Sequence, residues 1–139
     1  MRTALDTNVL SALWSREPLA SRISSRLVDL YSEGGLVVCG PVYVELHASP
    51  SVSEAFIEQF LRKTDIAVEF SLEESVWRSA ANGFAAYAHR RRRLGGGTPK
   101  RLPVDFLVAA HASVRADQLM TLDARPYKED FPTLRLITL

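Results

Sequence analysis

A chain of 139 residues, 47% hydrophobic and 24% charged, is long enough to bury a real core and too apolar to be disordered. Its single cysteine, Cys39, excludes a disulfide framework, and no apolar run reaches the roughly 20 residues that a membrane helix needs. The net charge of +1 is uneven: Arg90, Arg91, Arg92, Arg93, Lys100 and Arg101 fall in one stretch with no acid, so the remainder carries +1 less +6, or −5. The opening residues lack a signal-peptide stretch, and a cytoplasmic protein is expected.

In chain order, residues 2–5 read as a short buried strand ending at Asp6, after which Thr7-Asn8 can cap a helix beginning at Val9. Leu19, Ile23, Leu27, Leu30 and Tyr31 recur at helical spacing, which predicts a helix over 19–33. Gly34-Gly35 stops it, and Leu36–Cys39 is a second buried strand. Pro41 opens a helix through Glu45 to about Ser49, and Ser53 caps the next, with Phe56, Ile57, Phe60 and Leu61 on one face. A short strand is expected at 66–69, then a long helix from Glu73 to about Arg92 along Val76, Trp77, Ala80, Phe84 and Tyr87. Residues 94–101 form a loop, Pro103 starts a helix through Arg115, and Gln118–Thr121 and Arg135–Thr138 are the last strands. Alternating strands and helices predict one α/β domain over 1–139, with a mostly parallel sheet between two helical layers.

In such sheets ligands bind outside the carboxyl ends of the strands. Asp6 follows strand one, Asp123 follows the 118–121 strand, and Asp105 and Glu45 sit near the starts of helices that begin at that edge. Taken singly, Asp6 reads as a cap, Asp105 as an acid at the positive end of a helix, and Asp123 as a turn residue. Glu45 is harder to dismiss, because its helix is apolar nearly all round and therefore expected to be buried. Together the four pose an electrostatic problem. Two carboxylates about 5 Å apart repel by roughly 3 kcal/mol at an effective dielectric near 20, so the set must take up protons or a cation. Oxygen-only ligands suit Mg²⁺ or Mn²⁺, and such a centre fits phosphodiester hydrolysis. The basic stretch, with Gly95-Gly96-Gly97, offers phosphate contacts just before Asp105, although a solvated helix end is an equal reading of it alone.

The ordered segments Leu5-Asp6-Thr7-Asn8-Val9-Leu10, Pro41-Val42-Tyr43-Val44-Glu45-Leu46, Asp105 to Ala112, and Thr121-Leu122-Asp123 resemble the PIN-domain nucleases. Within these the chain is most similar to the VapC toxins of bacterial toxin–antitoxin pairs. The resemblance implies a PIN-like α/β/α fold and a Mg²⁺- or Mn²⁺-dependent endoribonuclease with Asp6, Glu45, Asp105 and Asp123 as its acids. Asn8 and Thr121 would support the site, and Arg90 to Arg93, Lys100 and Arg101 would bind RNA. It also implies a homodimer and a VapB-like antitoxin partner.

Other residues have blander readings. His111, His47 and His89 are expected to be structural or solvated. Trp14, Trp77 and Tyr87 fall in apolar stripes that favour core or dimer packing over base stacking, and Tyr127 and Phe131 are expected to pack the last turn. Three other functions are weighed. A non-catalytic RNA- or partner-binding module would share the groove without cutting. A haloacid dehalogenase-type phosphatase usually has a second Asp where Asn8 stands. A signalling receiver domain needs a late lysine after a strand, whereas Lys128 lies in a turn-like stretch.

Overall fold

The computed structural model describes residues 1–16 and 18–139. Five strands, β1 (Thr3–Leu5), β2 (Leu36–Cys39), β3 (Ala67–Glu69), β4 (Gln118–Met120) and β5 (Leu136–Ile137), form one sheet in the order β3-β2-β1-β4-β5. All four pairings are parallel. Every residue of β1, β2 and β4 is buried, as befits central strands covered on both faces, whereas β3 and β5 at the edges are partly exposed.

The helices are α1 (Thr7–Trp14), α2 (Ala20–Gly34), α3 (Gly40–Leu46), α4 (Glu54–Lys63), α5 (Glu74–Arg93), α6 (Pro103–Arg115) and α7 (Arg125–Asp130). On one side α2 packs on β1 and β2 and against α1; on the other, α6 packs on β1 and β4 and against α5. The result is the expected three-layer α/β/α arrangement. Ile23, Leu27 and Leu30 supply the buried stripe of α2, and Phe106, Val108, Ala109, Ala110 and Ala112 that of α6. Between α5 and α6 the packing at Gly83 is tight: a Cβ there would lie 3.1 Å from the Phe131 ring and 3.2 Å from that of Phe106, so these rings would have to give by a few tenths of an ångström.

Helix starts follow local chemistry. Ser53 Oγ accepts from Phe56 N at 3.1 Å, as its position before α4 predicts. Asp6, rather than Thr7 or Asn8, caps α1, accepting from Thr7 N at 2.8 Å. Three other expectations are corrected. The helix carrying Glu45 ends at Leu46 rather than Ser49, and it is not buried all round, since Val44 is 70% exposed. Trp77 stands outside the core at 53% exposure, donating its indole N–H to Leu72 O. Residues 125–130, read as a turn, form α7, with Pro126 in its first turn. Among the described residues no helix is long and apolar enough to cross a membrane.

His111 is structural, as expected. Buried on α6, its Nε2 lies 2.8 Å from Glu69 Oε1, and Glu69 is also approached by Arg2 (3.3 Å) and Arg115 (3.2 Å). Burial holds the His111 imidazole below its ordinary 6.5 despite the pull of Glu69. Burial works against the Glu69 carboxylate too, but His111, Arg2 and Arg115 outweigh it and hold Glu69 below 4.5. In both cases the unfolded chain binds protons more readily than the folded one, so stability falls as pH drops, first below 6.5 and again below 4.5. Thermal melts across that range are expected to show a falling Tm, and His111→Gln is expected to remove the upper part of the fall. An unchanged profile in the variant would discount the imidazole.

Candidate active site

Three of the four sequence-selected acids converge on the carboxyl edge of the sheet through hydrogen bonds or charge. Asp6 leaves β1 with its N–H donating to Met120 O at 3.0 Å, so the ladder with β4 carries one step past the strand. The residue is 9% exposed, and its Oδ2 accepts from Thr121 Oγ1 at 2.9 Å and from Tyr127 OH at 2.7 Å. One residue along, Thr7 Oγ1 donates to Glu45 Oε1 at 2.6 Å, tying α1 to α3. Asp105, in the first turn of α6, is pushed above the usual carboxylate range by burial and by the charge of Asp6, against the pull of Arg101. Asp6 and Glu45 both act on Cys39, although burial is the main reason its thiol rises to about 11. That thiol is an inert core group.

The two supports named from the sequence lie where a support should. Asn8 Nδ2 donates to Thr121 Oγ1 at 3.3 Å, and Asn8 Oδ1 accepts from Leu122 N at 3.1 Å, so one amide pins the turn after β4. Thr121 is fully buried and its hydroxyl also accepts from Asp123 N at 3.2 Å.

Asp123 is turned to a different partner. Arg125 grips it with Nε at 3.0 Å and Nη2 at 3.2 Å, and this hydrogen-bonded guanidinium holds the Asp123 carboxyl below its ordinary range. In this conformation no three carboxylate, imidazole or thiol groups among the described residues surround a common point. The donor chemistry nevertheless suits a hard cation: Asp6, Glu45, Asp105 and Asp123 offer oxygen alone, with Thr121 and Tyr127 orienting one of them. Arg125 is 89% exposed, and an ion pair so open to water is cheaply exchanged, leaving Asp123 free to turn.

Sequence reading missed two contributors. Tyr127, expected only to pack, is buried at 2% exposure with its hydroxyl on Asp6; burial above all, then the charge of Asp6, raises its pKa so that it stays a donor. A tyrosine six residues beyond Thr121 carries no sequence signal for this role, because α7 itself was unread. The second is Asp130, whose side chain is 1% exposed and which pairs with Arg90 and, at 2.7 Å, with Arg101. Arg101 also reaches Asp105 Oδ2 at 3.7 Å, donates to Pro126 O at 2.6 Å and lies 4.5 Å from the centre of the Phe106 ring. Tyr87 OH accepts from Lys100 N and Arg101 N, both at 3.1 Å.

Two of the six cations of the basic stretch are thus engaged by Asp130, and Arg91 Nε donates to Thr98 O. Arg92, Arg93 and Lys100 are the exposed ones. Gly95 and Gly97 serve the loop's turns, at φ +77° and +75°.

Tyr127→Phe removes one donor from Asp6 and keeps the ring. It is expected to lower any activity of this site by about 10–100-fold, the usual effect of losing a group that orients a metal ligand, with little change in Tm. Wild-type activity, and an unchanged cation requirement, would show that Thr121 suffices.

Comparison with curated protein sequences finds no match. Solved structures share the fold over nearly the whole chain. The DNA-bound VapBC of Salmonella typhimurium is 19% identical with a TM-score of 0.71, covering 99% of this chain and 98% of that one. VapBC2 of Rickettsia felis, bound to a DNA fragment from its promoter, is 19% identical with a TM-score of 0.65, covering 100% and 99%. VapBC-1 of nontypeable Haemophilus influenzae is 23% identical with a TM-score of 0.64, covering 99% and 98%. The PIN domain family model matches residues 3–131, a span that contains all four acids and the residues that hold them. The phosphatase and receiver readings therefore lapse, and the chain belongs to the PIN-domain family.

Proposed function

We propose that this protein is a Mg²⁺- or Mn²⁺-dependent endoribonuclease, and the toxin of a toxin–antitoxin pair. The observation that carries the reading is the hydrogen-bonded rim on which Asp6 is held by Thr121 and Tyr127, with Glu45 one threonine away and Asp105 within reach of its charge. A divalent cation bound there would polarise a phosphoryl oxygen and make a bound water acidic enough to attack.

The chain's own residues have separable tasks in this scheme. Asp6, Asp105 and Asp123 would hold the cation, and Glu45 would complete the shell or orient the water. Thr121 and Tyr127 fix the rotamer of Asp6, and Asn8 keeps Asp123's turn in place. Arg92, Arg93 and Lys100, exposed beside Asp105's helix, would meet the RNA backbone.

The toxin assignment rests on likeness to proteins described as VapBC complexes, two of them bound to DNA. By that likeness the expected partner is a VapB-like antitoxin, the expected assembly a homodimer and the expected location the cytoplasm. The Arg125–Asp123 pair favours one other reading, a PIN module that binds RNA or a partner without cutting. Incubating purified protein with labelled RNA and DNA pools in Mg²⁺, Mn²⁺ or EDTA separates the two. RNA cleavage that EDTA stops is the expected result; RNA retained uncut in every buffer would favour the module.

A further inference from the structure

Two hollows run from the acidic rim along one side of α1. The nearer, of about 640 Å³, is bordered by Glu45, Asn8, Ser11, Ser15, Ser49 and Ser51 among others. The farther, of about 880 Å³, shares Ser15 and Ser51 with it and continues to Trp14, Arg16, Phe56 and Phe60. Meeting at those two serines, they form one groove. Each hollow is within the roughly 300–1,000 Å³ that small ligands occupy.

The chemistry of the groove changes along its length. Beside Glu45 it is hydroxylic, with Ser11 Oγ and Ser49 Oγ hydrogen-bonded to each other at 3.2 Å in its lining. Among the described residues bordering it beyond Glu45 there is no acid, and Arg16 places a cation at the far end. There Trp14 meets Phe56 and Phe60 edge-on at 5.7 and 5.3 Å, and Phe56 is 41% exposed, offering an open ring. Trp14 itself is 8% exposed, and its indole N–H has no acceptor among the described residues. Arg16 also holds a left-handed backbone at φ +55°, a strained conformation for a non-glycine residue and one concentrated at binding sites.

Resting on the nuclease reading above, we infer that this groove is the subsite for the nucleotides flanking the scissile phosphate of a single-stranded RNA. Hydroxyls along the near half engage ribose and base edges, and a base stacks on Phe56 at the far half, where Arg16 meets a phosphate. This is how unpaired RNA is read: rings take the base faces, and small polar groups take the edges and the 2′-hydroxyl. The groove therefore sets which sequence is cut, independently of the basic loop, none of whose residues borders it.

The test uses the full chain with Phe56→Ala, Arg16→Ala and Ser51→Leu, the last filling the groove at an exposed position should Phe56→Ala fold poorly. None of these residues belongs to the acidic centre. Cut sites in a randomised RNA pool are sequenced for each variant, and affinity for the pool is read by fluorescence anisotropy in an Asp105→Asn background. The expected result is a weakening of roughly tenfold per variant, the scale of one lost stacked base or phosphate contact, with a shifted cut-site preference. If the parent cuts RNA and every variant keeps its affinity and cut sites, the inference is overturned while the nuclease reading stands. Variants that keep RNA affinity but lose a protein partner would make the groove a protein-docking surface and overturn it equally. A parent that neither binds nor cuts RNA would sink both readings.

Discussion

Replacing Asp130 by alanine is expected to destabilise the fold by about 3–5 kcal/mol, the usual cost of removing one partner of a buried ion pair. Its carboxylate is 1% exposed and faces two guanidinium groups, those of Arg90 at 25% and Arg101 at 17% side-chain exposure. Without it two largely desolvated cations stand side by side with only Glu129 and the distant Asp105 as anions. A fall in Tm of about 10 °C or more is expected for a domain of this size, measured by calorimetry. Arg90→Ala should cost much less, because Arg101 then keeps Asp130 satisfied. Equal melting of wild type and Asp130→Ala would mean that water replaces the carboxylate and that the pair has no structural weight.

Asp6→Asn is expected to abolish cleavage, with a loss well beyond the roughly 10–100-fold of a residue that only supports a metal ligand. The substitution separates chemistry from architecture. Asparagine caps helices as well as aspartate, so the acceptor for Thr7 N survives and α1 should fold normally. What disappears is the negative charge that Thr121 and Tyr127 steady, and with it the strongest oxygen donor of the rim. The expected combination is near-normal melting with activity lost, together with a Mn²⁺-induced rise in Tm in wild type that is absent from the variant. Retained cleavage would remove Asp6 from the centre.

These two aspartates also mark what can be read from residues alone. Asp6 was visible because a short apolar stretch ends at it, and the strands β1, β2 and β4 were visible because strands buried on both faces are mostly apolar, the exceptions Thr3 and Gln118 being hydrogen-bonded to each other. Asp130 was not. Its burial depends on α7, whose start at Ala124-Arg125-Pro126 has the composition of a turn, and on two arginines from 29 and 40 residues earlier. The same long-range pairing misled the reading of the basic stretch: a charge count cannot tell a cation facing solvent from one facing a buried acid. Trp77 was misplaced because α5 buries only Val76, Ala80 and Ala88, a narrower stripe than its aromatic residues suggest. Glu45 was selected for burial that its short helix does not have, yet Thr7 holds it on the rim regardless.

The central claim is that the acids of this rim cut RNA with the help of a divalent cation. The most direct measurement is cleavage of a labelled RNA pool in Mn²⁺ by wild type and Asp105→Asn side by side, each shown to be folded by circular dichroism, with EDTA as the third arm. Cleavage by wild type alone, stopped by EDTA, is the result predicted. Cleavage of equal rate in both proteins, or cleavage indifferent to EDTA, would contradict it.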